Sequence, residues 1–506
     1  MENGLPFLLL LLEIFSAVVL ALLLGLVLVV AVTYVIDIRQ TRHTIRRNYP
    51  VLGRFRYLFE HLGSFFRQYF FAMDREELPF NRAQRSWVYR AAKDVDSTLP
   101  FGSTQAINSP GTLIFVPHPF PSLSEDQCVS SVIVGPYCRT PYETSSLINI
   151  SAMSYGAISR PALIALSRGA KKAGCWLNTG EGGLSEYHLA GGADIVFQLG
   201  TAKYGVRDAE GKLSEEKLRT IADLPQIRMF EIKISQGAKP GKGGILPGIK
   251  VTEEIAHIRG IPAGCDSISP NGHPDIRSVA QLLDRIESIR QLTGKPVGFK
   301  LVVGDISFFD DLCAEVWRRG IESAPDFITL DSGDGGTGAA PQSLLDHAGL
   351  PIRETLPLVV DKLIEKGLRE RIRLIATGKL ILPVDVAWAL AAGADFVNSA
   401  RGFMFALGCI QALQCNKNTC PTGITTHDPD LQRGLDPTDK SERVAKYVAN
   451  MVKEVTVIAH SCGVDCPRQL ARHHARMVVR PGVSVPLSRL YSDPAFRDAA
   501  GDYDRP

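Results

Sequence analysis

Three cysteines lie within twelve residues of this chain, at positions 409, 415 and 420, and Pro421 follows the last of them. In one continuous helix Cys409 and Cys415 would point about 120° apart, so the helix must break if all three thiolates are to converge. Two asparagines and Pro421 supply such a break. Three thiolates without a nearby histidine favour an iron-sulfur cluster, of which the 3Fe-4S type needs only three ligands, over a four-ligand zinc site. We therefore predict that Cys409, Cys415 and Cys420 are metal ligands; the alternative, small buried apolar side chains, suits the isolated cysteines better.

Clusters of glycine and polar residues form a second chemical signal. They span residues 151–156, 178–183, 231–241, 331–338, 377–379 and 399–402, each at the end of a predicted strand. A single loop glycine more often only permits a turn. In parallel barrels, however, ligands bind to the loops at the carboxyl ends of the strands, and the loops after the seventh and eighth strands commonly bind a phosphate. The joint placement of these clusters therefore favours a phosphorylated flavin.

The elements that would position these groups are eight short runs of strand formers, which alternate with amphipathic, helix-like runs from Ser145 onward. This alternation is typical of βα units around a parallel sheet. A ninth weak run, Cys265–Pro270, lies in a stretch rich in Gly and Pro, residues 237–273, which we interpret as a long insertion. Eight units favour an α/β protein with a closed TIM (β/α)8 barrel over a nine-stranded open sheet. The predicted strands are Leu147–Met153, Cys175–Thr179, Asp194–Gly200, Arg228–Gln236, Pro296–Val302, Asp326–Ser332, Arg371–Thr377 and Asp395–Ala400.

The N-terminal segment from Leu5 to Ile36 is almost continuously apolar, and Ile14–Ile36 alone is long enough to cross a bilayer. A cleaved signal peptide is the alternative, but it would have a basic start and a small-residue cleavage site. Arginines concentrate just after the apolar segment, and this excess predicts that the following chain faces the cytoplasm. We therefore expect a single-pass membrane protein with a cytoplasmic catalytic domain and a reducing environment for its thiols.

The composition agrees with a soluble body attached to this anchor. Of the 506 residues, 45% are hydrophobic and 22% charged, and the net charge of +3 offers no nucleic-acid footprint. We predict four segments. They are an anchor with a basic juxtamembrane part, residues 1–48; a helical collar with an extended connection, 49–144; the barrel with its cysteine loop, 145–430; and a C-terminal helical extension, 431–506.

Five motifs in the same order give the chain a family resemblance. The runs at 178–183, 236–241, 334–338, 408–410 and 418–423 resemble those of the FMN-binding synthase domain of glutamate synthases, over residues 148–429. The anchored N-terminus with the run at 46–50 resembles the stand-alone, membrane-tethered branch of that family. The resemblance implies a TIM barrel that holds FMN beside a 3Fe-4S cluster. It also implies an oxidoreductase acting on CH–NH2 donors, which reduces 2-iminoglutarate, from 2-oxoglutarate and ammonia, to glutamate.

Residue by residue, the resemblance implies that the three cysteines ligate the cluster and that Glu181 and Lys233 lie beside substrate and flavin. Lys233 or Lys300 would hold a dicarboxylate and stabilise negative charge near the flavin, and Glu181 would transfer a proton during imine reduction. For either lysine the alternative is a structural salt bridge with an acid such as Glu231. The expected flavin-binding residues are Met153, Ser154, Asn178, Gln198, Gln236, Gly335, Gly336, Thr337, Gly378, Lys379, Ala400 and Arg401.

The chain departs from the family pattern in ways that bear on its partners. It opens directly into an apolar segment, so we expect no glutaminase domain, and ammonia from solution or from a separate glutaminase subunit. Lys379 stands where the family has a second glycine after the seventh strand. No dinucleotide fingerprint is present, so we expect ferredoxin or a reductase subunit as electron donor. The alternatives are a membrane-tethered electron-transfer or redox-sensing protein with both cofactors, or a degenerate barrel that acts as a scaffold.

Overall fold

A computed structural model describes residues 4–124 and 130–491 of the chain. It consists of two compact units, residues 1–83 and 84–506. This boundary differs from those of the predicted segments, which divided the chain after residues 48, 144 and 430. The α-helices are α1 Gly4–Arg39, α2 Thr44–Asn48, α3 Leu52–Phe66, α4 Arg82–Lys93, α5 Arg160–Ala173, α6 Glu186–Leu189, α7 Glu215–Ala222, α8 Glu253–Arg259, α9 Val279–Thr293, α10 Ser307–Arg319, α11 Gln342–Leu345, α12 Ile352–Glu365, α13 Pro383–Ala392, α14 Arg401–Leu407, α15 Pro429–Gln432, α16 Pro437–Ser461 and α17 Leu487–Leu490.

The first unit is helical. Its longest helix, α1, is exposed along the apolar stretch, and the part Phe7–Arg39 is long and apolar enough to cross a membrane. A signal sequence near the N-terminus would pass the same test of length and composition. The short α2 and α3 follow, and a π-helical turn at Arg67–Phe71 continues α3.

The second unit contains the predicted barrel. Strands β4 Ile148–Ile150, β5 Leu177–Asn178, β6 Ile195–Leu199 and β7 Ile227–Lys233 come first, and β10 Val297–Val302, β11 Phe327–Asp331, β12 Arg373–Thr377 and β13 Phe396–Ser399 follow. They form a closed barrel in chain order, and β13 pairs with β4 to complete it. Every pair is parallel. The prediction of eight barrel strands is thus confirmed, because each predicted run overlaps one of them.

The remaining strands lie outside the barrel. Strands β8 Ile245–Leu246 and β9 Ser267–Ile268 pair antiparallel within the loop after β7, which confirms that the ninth run belongs to an insertion. Strands β2 Val132–Val134 and β3 Tyr142–Thr144 form a hairpin. Val134 and Tyr142 of this hairpin pack with residues at the beginnings of barrel strands, Phe327 and Phe396 among them, in one buried cluster. The hairpin therefore covers the amino-terminal end of the barrel, and the carboxyl end stays open for a site.

The C-terminal extension is only partly helical, so that part of the prediction is wrong. Helix α16 packs along α5. After it, β14 Ala475–Arg480 pairs antiparallel with β15 Val483–Pro486 and with β1 Leu113–Phe115, in a three-stranded sheet. The segment Ala475–Arg480 has the β-branched content of a strand, and pairing with a partner more than 350 residues away in sequence decided its state.

Candidate active site

A cavity of about 1270 Å³, including its open mouth, lies at the carboxyl ends of the barrel strands. Its walls come from the loops that the glycine clusters predicted. The structure places Asn178, Gly335, Cys409 and Cys420 outside the cavity lining. The predicted site residues that line it are Met153, Ser154, Glu181, Gln198, Lys233, Gln236, Lys300, Gly336, Thr337, Gly378, Lys379, Ala400, Arg401 and Cys415.

Two buried ion pairs lie at the floor of the cavity. Lys233 Nζ is 2.7 Å from Glu181 Oε1, and Lys300 Nζ is 3.0 Å from Asp331 Oδ2. Burial raises the pKa of Glu181, but the charge and the hydrogen bond of Lys233, together with the charges of Lys239 and Arg259, lower it by more and leave that pKa below its usual value. Burial lowers the pKa of Lys300, yet Asp331 and then Glu231 raise it above its usual value. Glu181 is therefore ionised and Lys300 charged near neutral pH.

Neither lysine is bonded to Glu231, the acid considered in the structural alternative. Glu231 is buried inside the barrel and accepts hydrogen bonds from Asn178 Nδ2 at 2.8 Å and Gln198 Nε2 at 2.7 Å. Thr329 Oγ1 donates to its other oxygen at 2.5 Å. Asn178 thus orients the carboxylate of Glu231 in the barrel core. Gln198 also donates to this carboxylate, and it lines the cavity as well.

Two cations that the sequence analysis did not single out also line the cavity. Lys239 and Arg259 are both buried, and in the described ranges neither forms a salt bridge with a carboxylate. Burial, and then the charge of Lys233, lowers the pKa of Lys239 to about 8. Arg259 donates to Ser267 Oγ and to the carbonyl of Tyr155, and its buried Nε has no partner. Lys239 lies within a motif that the sequence displays, but nothing in the pattern around Arg259 distinguishes it.

The loops after β11, β12 and β13 form the opposite wall. Gly378 has φ +122°, and a Cβ there would meet Ser332 Cβ at 2.1 Å, so this turn requires glycine. Lys379 follows with φ +54°, and its ammonium pairs with Asp334 Oδ2 at 2.9 Å. Arg401 Nη2 donates to the carbonyl of Thr337 at 2.7 Å. The wall therefore presents two cations beside closely packed backbone.

The cysteine loop begins where α14 ends. The helix terminates at Gly408 with φ +107°, before the asparagines that we expected to break it. Cys409 follows directly, and the chain turns through left-handed conformations at Gln411, Leu413 and Asn418. The predicted break is therefore confirmed, and it lies earlier in the chain than expected. Among the described residues, no group of three Cys, His, Asp or Glu is arranged to hold a single metal ion.

The three thiols share one polar neighbourhood. Burial raises the pKa of Cys409 to about 11, and the charges of Cys415 and Cys420 contribute to that rise. Arg401 Nη1 is 4.0 Å from Cys415 Sγ, and Cys420 Sγ is 3.3 Å from the hydroxyl of Thr422. Because Cys415 also lines the cavity, the cysteine loop and the cavity share a wall.

A buried lysine joins this loop to the barrel. Lys250 is 1% exposed, and its ammonium donates to the carbonyls of Ala157 at 2.9 Å and Cys415 at 3.3 Å. Burial lowers its pKa to about 8, while negative charge on Cys415 and Cys420 raises it. Lys250 is a further residue that the sequence motifs did not reveal, because its contact with the cysteine loop is to Cys415, which lies 165 positions later in the chain.

A closed parallel barrel with a cation-lined cavity at its carboxyl end has the architecture of a TIM-barrel enzyme. The model of the family described as a conserved region in glutamate synthase matches residues 122–465. The glutamate synthase large subunit-like protein YerD of Bacillus subtilis (strain 168) is 38% identical over 497 residues, which cover 90% of this chain and 94% of that protein. The chain therefore belongs to the glutamate synthase family and is an oxidoreductase.

Other relatives match a smaller share of the chain. The archaeal glutamate synthase of Methanocaldococcus jannaschii is 36% identical over 333 residues, which cover 65% of this chain and 61% of that protein. Among solved structures, a mandelate oxidase with (S)-4-hydroxymandelic acid aligns with a TM-score of 0.46 at 17% identity, covering 78% of this chain and 99% of the other. A mutant flavocytochrome b2 with pyruvate aligns with a TM-score of 0.45 at 14% identity, covering 89% and 92%. Scores this low carry no conclusion about the site.

Proposed function

We propose that this chain is a glutamate synthase-type oxidoreductase that uses FMN and a 3Fe-4S cluster to reduce 2-iminoglutarate, formed from 2-oxoglutarate and ammonia, to glutamate. The observation that carries the proposal is the pair of buried cations, Lys239 and Arg259, that line the cavity without carboxylate partners in the described part of the chain. Buried charges require partners, so an anionic ligand is the natural complement. A dicarboxylate supplies two such charges.

The chemistry of the cavity wall fits FMN. Arg401 and Lys379 lie by the loops after the seventh and eighth barrel strands and would hold its phosphate, while Gly336 and Gly378 leave room for close approach of the backbone. Gln198 reaches the cavity from the barrel interior and would contact the flavin ring. When bound, FMN supplies a hydride acceptor and donor that also exchanges electrons singly.

The substrate would lie against the wall that carries Lys239 and Arg259, across the cavity from the loops after β11, β12 and β13. Lys239 and Arg259 would bind its carboxylates, and the buried ion pair of Lys233 and Glu181 would be next to the reacting carbon. Glu181 holds an ionised carboxylate against the Lys233 ammonium, so the proton that the substrate nitrogen gains would come from Lys233 by way of the Glu181 oxygen. Lys300 adds positive charge behind this pair and stabilises negative charge that develops in the cavity.

The donor set of the cysteine loop fits an iron-sulfur cluster. Three thiols lie in one neighbourhood with two cations, Arg401 and Lys250, which compensate for thiolate charge in a buried site. A cluster is larger than a single ion, so its ligands need not converge on one point. Since Cys415 belongs to both sites, electrons from an external donor such as ferredoxin or a reductase subunit would enter beside the flavin cavity.

We also propose that α1 is a retained single-pass membrane anchor and that the barrel faces the cytoplasm. The helix is long enough, and the arginines that follow it lie on the side that the positive-inside rule assigns to the cytoplasm.

The test uses full-length protein purified in detergent. A visible spectrum with iron and sulfide assays measures cofactor content, and glutamate is then measured after adding 2-oxoglutarate, ammonium and reduced ferredoxin. Glutamine in place of ammonium tests the nitrogen source. We expect flavin and iron-sulfur absorbance and ammonium-dependent glutamate formation.

Two outcomes would contradict the proposal. If the flavin is reduced but no glutamate forms with either nitrogen source, the chain is an electron-transfer or redox-sensing protein. If neither cofactor copurifies or can be reconstituted, the barrel is not a redox enzyme of this type. The variant Cys415→Ala should lose cluster iron while it retains the flavin, with Cys313→Ala, a buried cysteine far from the loop in sequence, as the matched control.

A further inference from the structure

An apolar stripe on α3 faces away from the helices next to it in the chain. Leu52, Phe55, Phe59 and Phe66 recur at intervals of three, four and seven residues, so they lie on one face of the helix. All four are exposed, Leu52 to 69% and Phe59 to 64%. The stripe is longer than the isolated apolar residues that occur on ordinary surfaces.

The π-helical turn after α3 extends this apolar surface. Tyr69, Phe70 and Phe71 are exposed, and the two phenylalanines are each 74% accessible. Phe66 and Phe70 contact each other, with ring centroids 5.7 Å apart, so the stripe and the turn are continuous. We call this combined surface, the exposed aromatic and leucine side chains of residues 52–71, the apolar face.

The other side of α3 is attached to the end of α1. Asp37, which is 1% exposed near the last turn of α1, accepts hydrogen bonds from the guanidinium of Arg54 at 2.8 Å and from the backbone N–H of Val51 at 3.0 Å. Gly53 packs against the backbone of α2, where a Cβ would meet the carbonyl of Ile45 at 2.8 Å. These contacts hold α3 beside the point at which the apolar helix ends, with the apolar face turned outward.

The charge of this region is strongly positive. Residues 37–67 contain seven arginines and only two carboxylates, of which Asp37 is already paired. Aromatic side chains with an apolar body and arginines that extend to phosphate are the composition of helices that lie in a membrane interface. The complementary partner is therefore an anionic lipid surface.

We propose that α3 and the π-helical turn lie in the headgroup region of the bilayer, with the apolar face inserted among the upper acyl chains and the arginines on anionic headgroups. This inference rests on the proposed membrane anchor, because the contacts with Asp37 place α3 at the end of α1. The anchor and the interfacial helix are thus joined, and the chain is attached to the membrane both by a transmembrane span and by a surface helix. A second copy of the chain is the other occupant that the apolar face could accept.

The experiment uses full-length protein in lipid nanodiscs that contain phosphatidylserine and a phospholipid with a photoactivatable diazirine in its upper acyl chain. Labelled peptides are mapped by mass spectrometry. We expect label both in residues 4–39 and in residues 52–71. Label in 4–39 alone would overturn the inference and leave the anchor intact, whereas label in neither segment would refute the anchor itself. Cross-links between copies through residues 52–71 would assign the apolar face to a second copy.

A variant isolates the contribution of the apolar face. Replacing Phe55, Phe59, Phe70 and Phe71 by serine should reduce label in residues 52–71 by several fold and leave the label in 4–39 unchanged. The matched control is Phe120→Ser, an exposed phenylalanine in the other compact unit, which should change neither signal. Unchanged label in 52–71 after the fourfold substitution would also overturn the inference. Circular dichroism shows whether the variant remains folded.

Discussion

Lys239 is the residue that most directly tests anion binding. We expect Lys239→Met to weaken 2-oxoglutarate binding by about 10-fold to 100-fold, because a hydrogen bond to a charged group contributes about 1.5–3 kcal/mol. Since its pKa is lowered to about 8, Lys239 is charged below this pH and becomes neutral as the pH rises through it. Wild-type affinity should therefore fall above pH 8, measured by flavin difference spectra, and the variant should lose that dependence.

Lys242→Met is the control, since Lys242 is exposed in the same insertion. An affinity for 2-oxoglutarate that does not change in Lys239→Met would show that the cavity cation does not touch the substrate.

The ion pair of Glu181 and Lys233 supports a prediction about stability. Glu181→Gln leaves a buried ammonium without its carboxylate, which costs about 3–5 kcal/mol of the free energy of unfolding. Adding Lys233→Met should recover part of this stability but no activity. A double-mutant cycle by thermal or denaturant unfolding would measure the change in stability. The exposed pair of Lys172 and Glu442 provides the contrast, since Glu442→Gln should cost less than 1 kcal/mol. Equal losses of stability at the two sites would contradict the assignment of Glu181 and Lys233 as a buried ion pair.

Lys250 is expected to set the reduction potential of the proposed iron-sulfur cluster. Its buried positive charge lies against the cysteine loop, and a positive charge favours the reduced, more negative state. Lys250→Met should therefore shift the cluster potential to more negative values, on the order of tens of millivolts by Coulomb's law at an effective dielectric constant of about 20. A redox titration followed by electron paramagnetic resonance measures this shift. An unchanged potential with full cluster content would rule out this role.

At the scale of elements, α16 braces the barrel helices on either side of the site. Gly169 of α5 faces α16, and a Cβ there would lie 2.5 Å from the Val444 side chain and 2.9 Å from the Ser441 carbonyl oxygen. Tyr447 of α16 lies against Gly402 of α14, immediately before the cysteine loop. The C-terminal helix thus links the first barrel unit to the last.

Gly169→Ala should therefore separate α5 from α16 and destabilise the protein by about 1–3 kcal/mol, as overpacking does in other cores. Gly434→Ala is the control, because a Cβ at Gly434 meets nothing within 4 Å. The apparent melting temperatures of both variants, measured in the same detergent, check the prediction. A melting temperature of Gly169→Ala equal to that of the control would show that the two helices can adjust without cost.

At the scale of the whole molecule, the proposed anchor makes a topological prediction. The full-length chain in bacterial cells should sediment with membranes and resist alkaline carbonate extraction, because a span of more than 20 apolar residues is not released by charge repulsion. Trypsin added to spheroplasts should leave the barrel intact, while inside-out vesicles should expose it to cleavage, since the positive-inside rule places the barrel in the cytoplasm. The reverse pattern of cleavage would contradict the orientation, and a chain shortened at its N-terminus in the soluble fraction would indicate a signal sequence.

Local sequence determined the barrel strands, the break in the cysteine helix and the apolar span. These features depend on short-range periodicity, on glycine and proline, and on run length, which are properties of neighbouring residues. The strand Ala475–Arg480 was missed because its state depends on pairing with Leu113–Phe115, far away in the chain.

Tertiary structure alone decided how the charges of the site are shared. Lys233 pairs with Glu181 rather than with Glu231, although Glu231 is only two positions away on the same strand. Adjacent side chains alternate around a strand, so residues two apart share a face, but closure of the barrel sets which of them has a partner across the interior. Burial of Lys239 and Arg259 likewise arises from packing of the insertion over the barrel, which no local pattern encodes. The sequence thus specified where the site is, and the closed barrel specified which of its charges, among the described residues, have no carboxylate partner.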